Sequence, residues 1–373
     1  MMKARINNKS YIHFESFQID SSLDAVASTF SLTALWEIDN LEHRNLFRPL
    51  SYNKIEIFDD DDKLQLTGTI LNHDFYAHAT TDLIELSGYS LPGVIEDCNI
   101  PYSMYPLESL KMNLREIAEK LIKPFGLNLI VDQSASREVN LVYAKTSLEP
   151  QDSIKDYLSK LASQRNIIIS HDENGHLRMF KPNINGDIKM IFNDQNSINL
   201  GLTVNGQGMH NVMTILRQPK AKKKKTEKRK PKQVIDYFDD DGNQIAPIKK
   251  TKMVKRKPKP LFFDTLNNEM VKSFRPSVRK MTEGEDVSTE AAVRNYMADE
   301  MKNITFVIDL NRWENLKFGD MIELESKRLF LNKKIRLMIS SISKGQSASE
   351  KTMSILAVLP ESYTGDEPKN IFL

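Results

Sequence analysis

The chain has 373 residues, 40% hydrophobic and 27% charged, enough for two or three folded domains at roughly 100–200 residues each. Its 52 Lys and Arg nearly balance its 50 Asp and Glu, but residues 220–259 hold 16 basic and 5 acidic residues, a local net of +11 that leaves −9 on the rest. No apolar run approaches the ~18 residues that span a bilayer, and a single cysteine, Cys98, excludes an intrachain disulfide. Met1–Phe14 lacks the apolar stretch of a signal peptide, so folding in a cytoplasm is expected.

Residues 1–100 read as β-structure. Tyr11–Ile19 and Ser28–Leu35 alternate apolar and polar residues. Lys54–Phe58 and Lys63–Leu71 flank the acidic run Asp59–Asp62, a hairpin pattern, and Asp82–Ser87 adds a further strand. Short strands at this spacing predict a small barrel or sandwich.

From residue 101 to 185 the period changes. Leu110, Leu114, Ile117, Ala118, Leu121 and Ile122 share one helix face, and Pro124 with Gly126 ends it. About forty residues on, Ile154, Tyr157, Leu158, Leu161 and Ala162 repeat the pattern, with Asn166 in the place of Gly126. Gly and Asn tolerate the left-handed backbone of a helix C-terminus, which gives the shared position a physical cause. A pair of strands is expected after each helix, 127–131 with 139–143 and 167–171 with 176–181, the second pair turning at Glu173-Asn174-Gly175. This is a small α+β domain with a weak internal duplication.

Residues 186–373 return to strands at 188–192, 198–205, 210–217, Thr305–Asp309, Met321–Glu325, Leu329–Leu331, Ile335–Ile342 and Thr352–Leu359, with one helix from Thr289 to about Lys302. A basic insertion at about 219–261 interrupts them. Its lysine legs flank a hairpin pattern, Val234–Phe238 and Gln244–Ile248 around Asp241-Gly242. The predicted class is α+β, mainly β: two β-domains of similar size flank the small α+β domain.

No catalytic motif is found: no GxSxG, HExxH, Walker loop or CxxC pair, and Gly206-Gln207-Gly208 is too short to cradle a phosphate. No catalytic, cofactor-binding or metal-binding residue is expected. His73 and His78, like His171 and His176, lie five apart in β-rich segments without a nearby cysteine, and Asp59–Asp62 lacks the alternating ligands of a calcium loop. The strong charge signal is Lys222, Lys223, Lys224, Lys225, Lys228, Arg229, Lys230, Lys255, Arg256 and Lys257, candidate contacts to an acidic protein or to DNA through counterion release.

Several landmarks recur in a fixed order. Gly88-Tyr89-Ser90 with Glu96-Asp97-Cys98 is similar to a "G-R-S … D-L-x-D-C-S" segment, with Tyr89 in place of the arginine. Lys123-Pro124-Phe125-Gly126-Leu127 is similar to a helix ending in "P-F-G-I". Ala162-Ser163-Gln164-Arg165 and Asp172-Glu173-Asn174-Gly175-His176-Leu177 resemble "L-A-x-Q-R-G … D-x-x-G-N-L". Arg312-Trp313, Gly319-Asp320 and Leu356-Ala357-Val358-Leu359-Pro360 are similar to the closing strands, although Asn311–Asn315 departs from an "L-W-x-P-G" core. In this order the landmarks resemble the baseplate hub proteins of phage Mu and its relatives.

That resemblance implies a structural protein of a contractile tail and not an enzyme. Two tail-tube-like barrels in one chain would let a homotrimer adapt a sixfold tail tube to a threefold central spike. It would contact the tail tube protein, the spike and other baseplate proteins, form part of the channel for DNA delivery, need no cofactor, and reside in the virion baseplate after assembly in the host cytoplasm. The alternatives are a nucleic-acid-binding protein using residues 220–259 and a muralytic tail hydrolase.

Overall fold

The computed structural model describes residues 3–77, 82–105, 108–143, 145–217, 237–238, 244–245, 262–281, 289–366 and 370–372. The chain is α+β and mainly β. Seven strands come from its first part: β1 (Lys3–Ile6), β2 (Lys9–Tyr11), β3 (Phe14–Ser22), β4 (Thr29–Leu35), β5 (Lys54–Phe58), β6 (Leu64–Ala77) and β7 (Asp82–Ser90). They lie in the order β3-β4-β7-β6-β5-β1-β2. Every neighbouring pair is antiparallel. Alternation decides which side faces in: Leu32, Ala34, Ile84 and Leu86 are buried while the residues between them are not. The β5–β6 turn forms as expected, because Asp59 Oδ1 accepts from the backbone N–H of Asp61 at 3.0 Å and Lys63 at 2.8 Å. The expected single strand Tyr11–Ile19 divides instead into β2 and β3, since β2 pairs with β1 whereas β3 pairs with β4 and a strand more than three hundred residues away. A short helix, α1 (Leu41–Leu46), is capped by Asn40.

The central region holds α2 (Val94–Asp97), β8 (Glu108–Leu110), α3 (Leu114–Ile122), β9 (Leu129–Val131), α4 (Ser136–Val139), β10 (Lys145–Ser147), α5 (Ile154–Ser163), β11 (Ile168–His171) and β12 (Leu177–Phe180). Asn113 and Glu116 form a capping box at the start of α3, and Ser153 caps α5. Both helices end as the sequence predicts, in left-handed residues: Gly126 at φ 68° and Asn166 at φ 53°. Their apolar faces meet in one core with Val139, Tyr143 and Leu177. One expectation fails: 139–143 is not a strand. The backbone there crosses over to Met112, whose carbonyl accepts from Tyr143 N at 2.9 Å, and the Tyr143 hydroxyl donates to Leu161 O at 2.9 Å. With that segment held across the helices, β9 pairs in parallel with β12 instead. The duplication therefore covers helix, stop and first strand only.

The last part comprises β13 (Ile188–Asn193), β14 (Asn199–Val204), β15 (Val212–Arg217), β16 (Tyr237–Phe238), β17 (Gln244–Ile245), β18 (Phe262–Asn267), β19 (Pro276–Lys280), α6 (Thr289–Glu300), β20 (Ile304–Leu310), β21 (Met321–Glu325), β22 (Ile335–Ser347) and β23 (Lys351–Val358). Leu329–Leu331, expected as a strand, is a tight turn in which Leu329 N and Leu331 N both donate to Ser326 O and Phe330 takes φ 59°. A core of Phe306, Ile308, Leu324, Leu337 and Ile355 fills this region. A smaller one, Met213, Ile215, Val293 and Met297, lies between α6 and the separate sheet β18-β15-β19.

The first and last parts are one sheet. Strand β22 pairs antiparallel with β3 from Ser341↔Ser22 to Ser347↔Ser16, giving thirteen strands along β14-β20-β23-β22-β3-β4-β7-β6-β5-β1-β2, with β21 beside β22 and β13 beside β21. Among the described residues no pairing closes either set of strands on itself. The register aligns Asn199, Asp309, Ser354, Ser343, Asp20 and Thr29 straight across six strands. A second row aligns Thr352, Gly345, Gln18, Ser31, Ser87 and Asn72. Both rows alternate with the buried residues and so face away from the cores. No helix among the described residues is long and apolar enough to cross a membrane.

Candidate functional site

The three parts of the chain meet where β3 pairs with β22. A cavity of about 90 Å³ lies there, walled by Ser21, Ser28 and Ser90 from the first part, His171 and Glu173 from β11 and its turn, and Lys317, Phe318 and Lys344 from the last. His171 is 3% exposed. Its Nδ1 lies 3.2 Å from Ala25 O, a pure acceptor, so Nδ1 carries the proton and Nε2 accepts from Ser28 Oγ at 2.5 Å. Burial holds its pKa down at about 4, so the ring is neutral at physiological pH. Lys344 donates to Gln65 Oε1 at 2.9 Å, and burial pushes its ammonium below the ordinary lysine range. Lys317 pairs with Glu173, linking the last part to the central one.

Trp313 packs at the same seam, its ring centroid 5.8 Å from Lys344 Nζ. Its Nε1 donates to Gly345 O and Thr352 O, each at 3.0 Å, while the ring packs against both large β-cores. Lys351 lies 5.3 Å from the ring centroid and pairs with Asp60 of the β5–β6 turn. A further link runs through Lys302, which contacts Asp24 and Asp299 at 3.1 Å each and sits 4.4 Å from the Tyr363 ring; the Tyr363 hydroxyl donates to Asp24 at 3.0 Å. These groups hold three units in fixed relation. Ser28 and His171 make a hydroxyl–imidazole contact, but Nδ1 faces a backbone carbonyl where a Ser–His–Asp arrangement has a carboxylate, and no metal-holding cluster of three or more His, Cys, Asp or Glu occurs among the described residues.

The candidate basic contacts Lys222, Lys223, Lys224, Lys225, Lys228, Arg229, Lys230, Lys255, Arg256 and Lys257 lie outside the described residues, as does His78. Their mounting is described. Arg217 pairs with Phe262 where the segment leaves β15 and returns in β18, and Tyr237↔Ile245 and Phe238↔Gln244 form the small hairpin at its centre. Sequence reasoning found β15 and α6 of the platform that carries it but missed β18 and β19. Glu300 pins that platform, accepting from His210 N at 2.9 Å and its ring Nδ1 at 2.7 Å. It missed the seam too: Trp313, Lys344 and His171 carry no local signal, because what makes them matter is pairing between segments far apart in sequence. The two histidines of the 171/176 pair diverge, His171 to Ser28 and His176 to Asp172 at 3.0 Å.

Residues 93–181 match the family described as "baseplate hub protein gp44-like, second domain". The likeness to baseplate hub proteins is thereby shown. The matched segment is the central α+β region, and the Pro124–Gly126 helix stop and the Glu173–Gly175 turn lie inside it. The whole chain has the fold of a 43 kDa tail protein of prophage MuSo2 from Shewanella oneidensis, at 15% identity and TM-score 0.74, with 97% of this chain and 99% of that one covered. A tail protein from Neisseria meningitidis MC58 aligns over 98% and 99% at 14% identity and TM-score 0.73. An E. coli component of the type VI secretion system, described as structurally similar to T4 phage tail proteins, aligns over 99% and 80% at 8% identity and TM-score 0.54. No curated protein sequence matches the chain.

Proposed function

We propose that the chain is a structural baseplate hub of a contractile phage tail, working as a homotrimer that adapts a sixfold tail tube to a threefold central spike and forms part of the channel for DNA delivery. The observation that carries this is a hub second domain set inside a chain whose full length takes a tail-protein fold. The units are 1–100, 101–185 and 186–373, with the first and last as tube-like barrels. Three copies then present six β-units in one closed ring, and closure covers sheet edges that would otherwise invite aggregation. Its partners are the tail tube protein, the spike and other baseplate proteins, its place is the virion baseplate after assembly in the host cytoplasm, and its role is mechanical, not enzymatic.

Residues 220–259 serve in this reading as an electrostatic contact to an acidic baseplate neighbour or to the DNA. Light scattering and electron microscopy of the full chain test the proposal: a threefold ring with six β-units is expected, and a monomer at every concentration and salt tried refutes it. Deleting 220–259 should abolish salt-sensitive polyanion binding; binding that survives the deletion or ignores salt refutes the contact.

A further inference from the structure

The cavity at the β3–β22 seam has an uneven charge balance. Lys344 stands two residues beyond buried Ile342 in β22, hence on the same core-facing side, opposite Ile19 of β3. That is a place for an apolar residue, and burying an ammonium there is costly unless the charge is matched. Of its three N–H donors one is met, by the neutral amide oxygen of Gln65, and it pairs with no carboxylate among the described residues. The charges around it cancel, Lys63 and Lys317 offsetting Asp59 and Glu173. The positive charge of Lys344 itself is left over.

The other polar groups of the wall separate into satisfied and unsatisfied. Ser28 gives its proton to His171, so Ser21 donates to Ser28 Oγ at 2.7 Å, and both hydroxyls are spent. Ser90 differs. It is 1% exposed, its Oγ accepts from Ser28 N at 3.0 Å, and its own proton has no acceptor among the described residues. The carboxylates are engaged: Glu173 pairs with Lys317, and Asp172 accepts from His176 N at 2.8 Å and Nδ1 at 3.0 Å. A cation would therefore find no bare ligand, whereas an anion meets one unmatched ammonium and one idle hydroxyl.

We propose that this cavity is a binding site for one small monovalent anion, such as chloride or formate, held by the Lys344 ammonium and the Ser90 hydroxyl. A single ammonium balances a single charge, and the remaining wall, with Leu66, Leu316, Phe318 and Ile342, gives a second charge no partner. About 90 Å³ admits an ion of this size and excludes a sugar acid. The anion joins the first part of the chain, through Ser90, to the last, through Lys344, against a wall supplied by the central one. It clamps the junction of the three units, and this holds whether or not the chain forms a ring.

Thermal melting of the full-length chain tests the site, with sodium chloride or formate replacing gluconate at constant ionic strength. Chloride and formate should each raise the melting temperature along a saturating curve, the unfolding constant falling about tenfold when the anion stands at ten times its Kd. Lys344→Met should abolish that response and be no less stable than the parent chain in gluconate, because it removes the charge that needs matching. Ser90→Ala keeps the charge and should raise the half-saturating concentration about fivefold through loss of one hydrogen bond to an ion. A parent chain that melts alike in all three salts, or a Lys344→Met chain that keeps the chloride response, overturns the proposal. In crystals grown with bromide, an anomalous peak within hydrogen-bond reach of Lys344 Nζ is expected; bromide found only on the outer surface overturns the site even if Lys344→Met does not fold.

Discussion

Replacing Trp313 probes the junction most directly. The indole N–H is shared between two carbonyls at 3.0 Å, one net hydrogen bond of about 1 kcal/mol. The half-buried ring packs on both β-cores, and truncation to Ala removes contact for about 2 kcal/mol more, below the range for a fully buried Trp. Trp313→Phe should therefore cost about 1 kcal/mol and Trp313→Ala about 3 kcal/mol. The chain has two tryptophans, so either variant leaves Trp36 as sole reporter, and Trp36 sits in the first part against Phe47 and Phe75. Urea unfolding followed by Trp36 emission thus reads the first part, while circular dichroism reads the whole chain. If Trp313 couples the parts, Trp313→Ala shifts both transitions. A loss below about 1 kcal/mol, or a Trp36 transition that stays in place while the other moves, refutes the coupling.

His171 gives the seam a pH dependence. Its folded pKa, about 4, lies below the unfolded value near 6.5, so the unfolded chain binds the extra proton first and stability falls as pH drops from 6.5 to 4, by at most roughly 3 kcal/mol. His171→Gln should flatten that part of a melting-temperature profile; an unchanged slope between pH 7 and 5 refutes the assignment. At the helix stops, Gly126→Ala should cost about 1 kcal/mol because φ 68° strains a Cβ that otherwise meets nothing, while Asn166→Gly should stabilise by a few tenths to about 1 kcal/mol, both by urea titration. Asn113→Ala breaks the α3 capping box for about 1 kcal/mol, and Glu116→Ala added to it should cost less than either change alone predicts.

What the sequence disclosed follows the range of the forces involved. Alternation placed β4, β5, β7 and β20–β23, since burial on one sheet face is written every second residue. Helix stops at Gly126 and Asn166 were legible because a left-handed residue restricts side-chain choice locally. Residues 139–143 were misread because their partner is Met112 rather than a neighbouring strand, and Leu329–Leu331 because a three-residue apolar run does not distinguish a turn from a strand. Of the site, the basic residues announced themselves by charge alone. The seam did not, yet one trace of the outward face was there to read: serine at every second place in Ser341 and Ser343, answered by Ser16, Gln18, Asp20 and Ser22 in the strand it joins.

The β3–β22 pairing has a consequence for biosynthesis. Strand β3 leaves the ribosome more than three hundred residues before its neighbour, so for most of translation one side of it is an open ladder of N–H and C=O groups. Nascent or prematurely terminated chains lacking residues 335–347 carry that vacancy permanently and should be the species that stick to chaperones and to each other, whereas release of a full-length chain seals it from within.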